Sequence, residues 1–337
     1  MVKKFNICIL GDHEVKVFIE LAKLFHFSFL DLGFRSQISK NLVIREKGTV
    51  NIIIGIHLLS IDSLKGIPNS KTEILEKDKK KRASGKIIIR YEKIKDLFYK
   101  LKLRLNKGDK EKKYDYFPKE TIIFNTEQLE GLSELSDHRK YWSERISEFG
   151  KRFEMWDYSR RNIETLNKMG VNNIKLVEIG FQKELATINH SMKKDVDVLF
   201  YGIINERRKK ILDDLEKKDI KVKVLDSVWG KERDMWISRS RIVLNMHYYD
   251  AKIFEVARCF YLMTNSVAIV SEVSDDTYID SKYRDGIIGV TYEKLVNKCY
   301  EILKDEEELK MLREQAFRTI SSYPQSEIMR KIIEKQN

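Results

Sequence analysis

The most informative polar residues in this chain are a histidine and a glutamate eight positions apart, His247 and Glu255. The histidine ends an apolar run, RIVLNMH, that is typical of a buried β-strand, and the glutamate lies on the helix predicted to follow. Ligands of parallel α/β sheets bind where strands end and helices begin. A carboxylate can accept two hydroxyl protons at once, which suits a ribose diol, and an imidazole can donate to a sugar hydroxyl or a phosphate. The spacing alone would mean little, but the succession of strand–helix units around the pair is the layout of a nucleotide-binding half-domain. The structural alternatives are a helix-surface glutamate and a strand-end histidine.

A second group of polar residues follows the predicted strand DVDVLFY, at a strand–glycine–helix turn. Gly202 allows close approach to the backbone, Asn205 can cap the helix, and Arg207 and Arg208 lie in its first turn. Cations there oppose the helix dipole, and a pyrophosphate at the helix N-terminus would offset that cost. The alternative is a charged surface helix. After the next strand comes Trp229, which can stack on a nucleobase or simply pack within its loop.

Three further candidates lie at or just after predicted strands of the N-terminal part: His57, Glu127 and Asp157. Strand ends of a doubly wound sheet face the ligand cleft, so each could act as general base toward an acceptor hydroxyl. Each could instead be structural. Asp157 in particular could cap a helix that starts near Ser159.

The order of elements predicts the fold class. Apolar strands, GKIIIRY among them, alternate with helical patterns through the chain, which favours an α/β protein with doubly wound parallel sheets. The polar segment 182–194 is the predicted linker. It divides an N-terminal domain, residues 1–185, from a C-terminal domain, residues 193–320, and residues 321–337 form a last helix.

Composition limits the class of protein. The 337 residues are 42% hydrophobic, enough for two cores, and no apolar run approaches the roughly 18 residues that span a bilayer. The N-terminal apolar run is interpreted as a first strand. Cys8, Cys259 and Cys299 are far apart, which predicts buried thiols in a reducing, cytoplasmic compartment. No metal-ligand spacing is present, so we predict no metal.

The net charge of +12 raises the question of an anionic partner. Lysines concentrate in two segments, residues 76–86 and 105–116, where acidic residues are interspersed and aromatic residues are rare. Solvated loops are one interpretation, and peripheral docking on an anionic membrane or an acceptor is the other. Nucleic acid is disfavoured, because there is no recognition-helix motif and no aromatic interleaving.

One block of the sequence resembles a known family. It reads LN-x-HYY-x-x-x-x-x-E, followed by a strand that ends in VSE, and its matching residues are Leu244, Asn245, His247, Tyr248, Tyr249, Glu255 and Val270 to Glu272. The block resembles the C-terminal domain of GT-B glycosyltransferases, in particular bacterial glycosyltransferase group 1-like proteins. Weaker matches in the N-terminal part are GIHLL, FNTEQL and WDYSRRN.

The resemblance implies two Rossmann-like domains facing a central cleft, with the last helix crossing back to the first domain. It implies a metal-independent glycosyltransferase with no cofactor apart from its nucleotide-diphosphate sugar donor. The C-terminal domain would hold the donor, and the N-terminal domain would hold an acceptor that is a glycan, a lipid or a protein. Glu255 matches the second of two glutamates spaced eight apart in retaining enzymes, and His247 replaces the first. A retaining outcome is therefore expected.

The residues expected to bind substrate are Gly202, Asn205, Arg207, Arg208, Trp229, Tyr248 and Glu255. The residues expected to be catalytic are His247, Glu127 and His57. Two alternatives stay open at this point. One is an inverting transferase that uses Glu127 or His57 as its base, and the other is a catalytically silent binding protein of the same fold.

Overall fold

The computed structural model describes residues 3–11, 14–59, 114, 117–129, 137–248 and 253–334. The predicted strand GKIIIRY, Tyr249 and the two lysine-rich segments, apart from Tyr114, lie outside the described residues.

The described residues of the first half form six strands, namely β1 (Lys4–Ile9), β2 (Arg35–Lys40), β3 (Thr49–Ile54), β4 (Thr121–Phe124), β5 (Glu154–Asp157) and β6 (Ile174–Leu176). They form one sheet in the order β2-β1-β3-β4-β5-β6, and every neighbouring pair is parallel. The helices described in this half are α1 (Ile19–Asp31), α2 (Asp137–Gly150) and α3 (Arg160–Lys168). Short 3₁₀ helices cover Glu14–Phe18, Ile56–Leu58 and Lys183–Leu185.

In the second half, the part of the chain that the structure describes forms five strands, namely β7 (Val196–Tyr201), β8 (Val222–Leu225), β9 (Ser240–Asn245), β10 (Ile269–Glu272) and β11 (Ile288–Val290). Their order is β11-β10-β9-β7-β8, again entirely parallel. Its helices are α4 (Glu206–Glu216), α5 (Lys231–Arg239), α6 (Val256–Thr264), α7 (Ser281–Arg284), α8 (Leu295–Ile302) and α9 (Glu306–Ser321). A 3₁₀ turn, Tyr292–Lys294, precedes α8. The predicted α/β class with two doubly wound parallel sheets is confirmed.

Two local expectations were wrong. β2 has no counterpart among the predicted strands, because its sequence, RSQISK, is an edge strand without a fully buried side chain. His57 was expected at a strand end, but β3 stops at Ile54 and His57 lies in the 3₁₀ turn that follows. Gly55 causes the stop, since its φ of 86° lies in the left-handed region that ends an extended strand.

The last helix, α10 (Gln325–Glu334), packs against α1 of the first half. Met329 and Ile333 are buried in a core cluster that also contains the apolar face of α1. The crossing is fixed where the Gly180 N–H donates to Gln325 Oε1 at 2.5 Å. A Cβ on Gly180 would lie 2.2 Å from the Tyr323 carbonyl oxygen, so this approach of two backbones requires glycine.

A buried ion pair also joins the two halves. Arg233 on α5 pairs with Glu20 on α1 at 3.0 Å and with its neighbour Asp234 at 2.7 Å. The Tyr261 hydroxyl donates to Asp234 at 2.9 Å. Arg233 and Asp234 therefore support the contact between the halves.

The three cysteines are buried and free, as predicted. Burial raises the pKa of the Cys8 thiol to about 12, so this thiol is protonated at neutral pH. Among the described residues, no helix combines the length and apolar character needed to cross a membrane.

Candidate active site

The polar residues predicted in the second half meet at the carboxyl edge of its sheet, where β7, β9 and β10 end. Gly202 follows β7 with φ of 134°. A Cβ at this position would lie 3.1 Å from Arg258 Nη2 and 3.6 Å from Arg208 Nη1. Glycine therefore leaves room for two guanidinium groups beside the turn.

Asn205 is the cap of α4, as predicted, and it also links two loops. Its Oδ1 accepts from the Arg208 N–H at 2.9 Å, and its Nδ2 donates to the Tyr248 carbonyl at 2.9 Å. The turn after β7 is thereby held against the segment after β9. The Tyr248 ring centroid lies 5.2 Å from the guanidinium carbon of Arg208.

Arg208 is buried and links the loops at this edge through its hydrogen bonds. Its guanidinium donates to the carbonyls of Ile203 at 2.8 Å and Met246 at 2.5 Å, and to Glu255 Oε1 at 3.2 Å. Arg258, one turn along α6, pairs with the other oxygen of Glu255 at 3.1 Å. The Glu255 carboxylate is thus fixed between two arginines and is itself about one-fifth exposed, at 19%.

Arg207 points to a different carboxylate. Its guanidinium forms a two-pronged ion pair with Glu272 at the end of β10. The same group stacks on the Tyr292 ring, 3.9 Å from its centroid, and the Tyr292 hydroxyl donates to the Arg207 carbonyl at 2.7 Å. The two arginines in the first turn of α4 are therefore paired with carboxylates of the chain. Their predicted contact with pyrophosphate stays a prediction.

His247 lies between these two ion pairs and is 2% exposed. Its backbone N–H donates to Glu272 at 3.1 Å, but neither ring nitrogen has a hydrogen-bond partner among the described residues. Burial lowers the pKa of the imidazole, although the charges of Glu255 and Glu272 act in the opposite direction. A neutral imidazole offers one donor and one acceptor, and buried polar atoms of this kind are normally satisfied. The lack of a partner for this ring among the described residues is the strongest sign of a ligand at this edge.

Trp229 lies in the loop between β8 and α5, where it is partly buried. Gly230 follows it with φ of 61° and precedes the first residue of α5. Its predicted stacking on a base stays a prediction.

In the first half, His57 and Glu127 are brought together. His57 Nε2 lies 3.2 Å from Glu127 Oε1, with the histidine 4% and the glutamate 27% exposed. Asn125, which follows β4, positions the glutamate, because its Oδ1 accepts from the Glu127 N–H at 3.1 Å and its Nδ2 donates to the Glu127 carbonyl at 2.9 Å. A partly exposed carboxylate held against a buried imidazole can take up a proton.

Asp157 is fully buried. It accepts from Asn125 at 2.7 Å, from the Ser159 N–H at 2.7 Å and from Asn162 at 3.2 Å. Burial raises its pKa to about 7, while these hydrogen bonds act in the opposite direction. Ser159, not Asp157, caps α3. The general-base role considered for Asp157 is therefore replaced by a supporting one, in which it holds the segment carrying Glu127.

The two groups of residues face each other across the contact between the halves. Tyr158 is near both groups: burial raises the pKa of its hydroxyl, and the charges of Glu127 from one half and Glu255 from the other act in the same direction. Gln128 Nε2 also donates to the Ile253 carbonyl at 2.9 Å. The cleft edge of the first sheet is thus joined to the segment just before Glu255.

Three residues of this edge were missed as site residues: Tyr158, Arg258 and Glu272. Glu255 was predicted on the helix but is the residue just before α6. Arg258 carried a usable signal, because residues three apart at the start of a helix lie on the same face. Glu272 was noted within the family block but without a partner. No group of three or more His, Cys, Asp or Glu suited to a metal occurs among the residues that the structure describes.

Comparison with known proteins gives the fold a name. No family model matches the chain. Uncharacterized proteins of Acanthamoeba polyphaga mimivirus are similar in sequence. Protein L140 is 31% identical over 193 residues, which is 55% of this chain and 59% of that protein. Protein R358 is 31% identical over 188 residues, 54% of this chain and 62% of that protein. The chain thus spans about three-fifths of the length of these relatives.

Solved structures match over nearly the whole chain. A TarM variant from S. aureus, crystallised with UDP, fondaparinux and α-GlcNAc-glycerol, gives a TM-score of 0.56 at 10% identity and 99% coverage of both chains. HepE from Anabaena in complex with UDP gives 0.53 at 9% identity and 99% coverage of both chains. Sucrose-phosphate synthase from Thermosynechococcus elongatus gives 0.53 at 9% identity and 98% coverage of both chains. The chain has the GT-B fold.

Proposed function

We propose that this chain is a glycosyltransferase that moves a sugar from a nucleotide-diphosphate donor to an acceptor hydroxyl, without a metal and with retention of configuration. The observation that carries the proposal is the buried His247 ring, unpartnered among the described residues, between the Glu255 and Glu272 ion pairs. UDP bound to the TarM and HepE structures of the same fold supports a nucleotide as the ligand.

In this proposal the donor binds to the second half. Glu255 accepts hydrogen bonds from the ribose hydroxyls, Trp229 stacks on the base, and the diphosphate lies at the start of α4. Arg207 is the better phosphate ligand of the two arginines, because it is 27% exposed whereas Arg208 is 3% exposed and bonded to backbone carbonyls. His247 contacts the transferred sugar.

The reaction then breaks the bond between the sugar carbon and the diphosphate oxygen and forms a bond from that carbon to the acceptor oxygen. The proton of the acceptor hydroxyl goes to the departing diphosphate. Charge on the leaving group is stabilised by the N-terminus of α4 and by Arg207, an electrostatic role like that of an oxyanion hole. We expect turnover to persist in EDTA. Loss of turnover in the chelator would contradict the proposal of a metal-independent reaction.

A nucleoside diphosphate alone should stabilise the protein. Ligand at ~100 times its dissociation constant adds about 2.7 kcal/mol to the free energy of unfolding. Thermal unfolding in the presence of UDP, GDP, ADP, CDP and TDP, one at a time, measures this effect and identifies the base.

Glu255→Ala is the matched variant for that measurement. Its hydrogen bonds to a ribose should be worth about 1.5–3 kcal/mol, so the preferred nucleotide should stabilise the variant much less. If none of the five nucleotides raised the unfolding temperature of the unmodified protein, the proposed donor site would be wrong. If the nucleotide stabilised the Glu255→Ala variant as much as the unmodified protein, Glu255 would not be part of the donor site.

The His57–Glu127 pair favours a second candidate, an inverting transferase. Here the 3.2 Å contact would hold Glu127 as the general base that takes the acceptor proton, with His57 able to share it. In this case Glu127→Gln should lower the turnover number by about 10²–10⁴-fold and leave nucleotide affinity unchanged. Glu120→Gln, which alters an exposed glutamate just before β4, is the control. The anomeric configuration of the product, read by NMR, decides between retention and inversion.

The acceptor is proposed to be a glycan, a lipid or a protein, held by the first half, with nucleic acid excluded. We also propose a cytoplasmic location with peripheral binding to anionic membrane. A donor-hydrolysis screen by mass spectrometry identifies the sugar and tests the activity itself. Nucleotide binding without turnover of any donor would instead indicate a silent binding protein.

A further inference from the structure

A groove of about 510 Å³ lies on the second half, between the linker before β7 and helix α9. We call it the linker groove. The lining residues that matter here are His190 from the linker and Lys310, Arg313, Glu314, Phe317 and Arg318 from α9. None of these belongs to the candidate active site, so the groove is a separate feature of the surface.

The linker groove has an excess of positive charge. Among the lining residues, the three cations Lys310, Arg313 and Arg318 exceed the one carboxylate, Glu314, by two charges. His190 adds none at neutral pH: its Nε2 lies 2.5 Å from the Asn265 carbonyl, its Nδ1 lies 3.4 Å from Lys194 Nζ, and burial lowers its pKa.

Arg313 has a donor that no described residue satisfies. Its Nη2 is buried and has no hydrogen-bond partner among the residues that the structure describes. Behind His190, burial and the charge of Arg313 lower the pKa of Lys194 to about 8. A buried guanidinium N–H without an acceptor is unfavourable. Burial and the charge of Arg241 lower the pKa of Arg313, while the charge of Glu306 acts in the opposite direction.

We propose that the linker groove binds a phosphate monoester, with Arg313 as its central ligand and Lys310 and Arg318 beside it. A guanidinium matches two phosphate oxygens at once, and a monoester close to a double negative charge at neutral pH matches the excess of two positive charges among the lining residues. Phe317, which is 37% exposed, offers an apolar wall for the group that carries the phosphate. The phosphate belongs to a soluble compound or to a lipid headgroup.

The position of the groove gives the ligand a structural role. A phosphate bound in the groove would join the linker to α9. Phe317 of α9 also packs edge-on against Phe181, which lies just before the linker, with ring centroids 5.5 Å apart. A bound phosphate therefore restrains the connection between the halves. This proposal is independent of glycosyl transfer.

Calorimetric titration with glycerol phosphate tests the soluble source, and sedimentation with phosphatidylcholine vesicles, with and without phosphatidic acid, tests the lipid source. Arg313→Gln should weaken whichever binding is found by at least about tenfold, because a charged hydrogen bond is lost. Arg330→Gln on α10, which removes the same charge from an exposed position, should leave it unchanged.

Arg207→Gln separates this groove from the donor site. Phosphate binding that is lost in Arg207→Gln but kept in Arg313→Gln takes place at the donor edge, and the proposal is then wrong. It is equally wrong if neither probe binds, or if Arg313→Gln binds as the unmodified protein does. Failure of the nucleotide panel has no bearing on either result.

Discussion

Arg208→Leu is expected to lower the free energy of unfolding by about 3–5 kcal/mol, the range for breaking a buried ion pair by removal of one partner. The guanidinium is 3% exposed and donates to Glu255 and to the carbonyls of Ile203 and Met246. Leucine leaves both carbonyls without this donor and leaves Glu255 with Arg258. Urea unfolding followed by tryptophan fluorescence measures the change.

Lys209→Leu provides the control, since Lys209 is the next residue of α4 and is exposed. Surface changes of this kind are usually within about 0.5 kcal/mol of neutral. If Arg208→Leu were as stable as Lys209→Leu, the hydrogen bonds of Arg208 would not support the edge of the sheet.

His247→Ala should reduce the turnover number by about 100-fold or more, the typical loss when one donor to a transition state is removed. Nucleotide affinity should change little, because the proposed contact is with the transferred sugar. Steady-state turnover, together with calorimetric titration of the nucleotide, separates the two quantities. His247→Gln keeps a donor and an acceptor and should retain more turnover.

The matched control is His26→Ala, which removes a partly buried histidine on α1 that contacts Ser36 at 3.0 Å. It should leave turnover unchanged. Equal turnover in His247→Ala and the unmodified protein would exclude His247 from the reaction and leave Glu255 as an isolated nucleotide ligand.

Much of the fold was predictable because buried parallel strands are continuous apolar runs. Runs such as VDVLFY and RIVLN gave β7 and β9 without ambiguity. β2 could not be found in this way, because an edge strand with half-exposed faces carries no such run. The short 3₁₀ turn around His57 was missed for another reason: the positive φ of Gly55 interrupts an otherwise apolar segment.

The candidate site was predictable in position and less so in its contacts. Residues after strand ends must share one edge of a parallel sheet, and that rule brought His247, Glu255 and Asn205 to the same place. The choice of partner for each arginine depends on side-chain direction in three dimensions. Arg207 and Arg208 are adjacent in sequence, yet they pair with Glu272 and Glu255 respectively.

The packing of α10 on α1 has a consequence for the order in which this protein is made. The first half contributes its strands early in synthesis, but Met329 and Ile333, which complete the core against α1, are translated after the whole second half. Domains generally fold as they leave the ribosome, N-terminal ones first. Here the face of α1 that receives α10 stays uncovered until α10 itself has been synthesised. The first half is thus synthesised first, but its core is completed only after the second half has been synthesised.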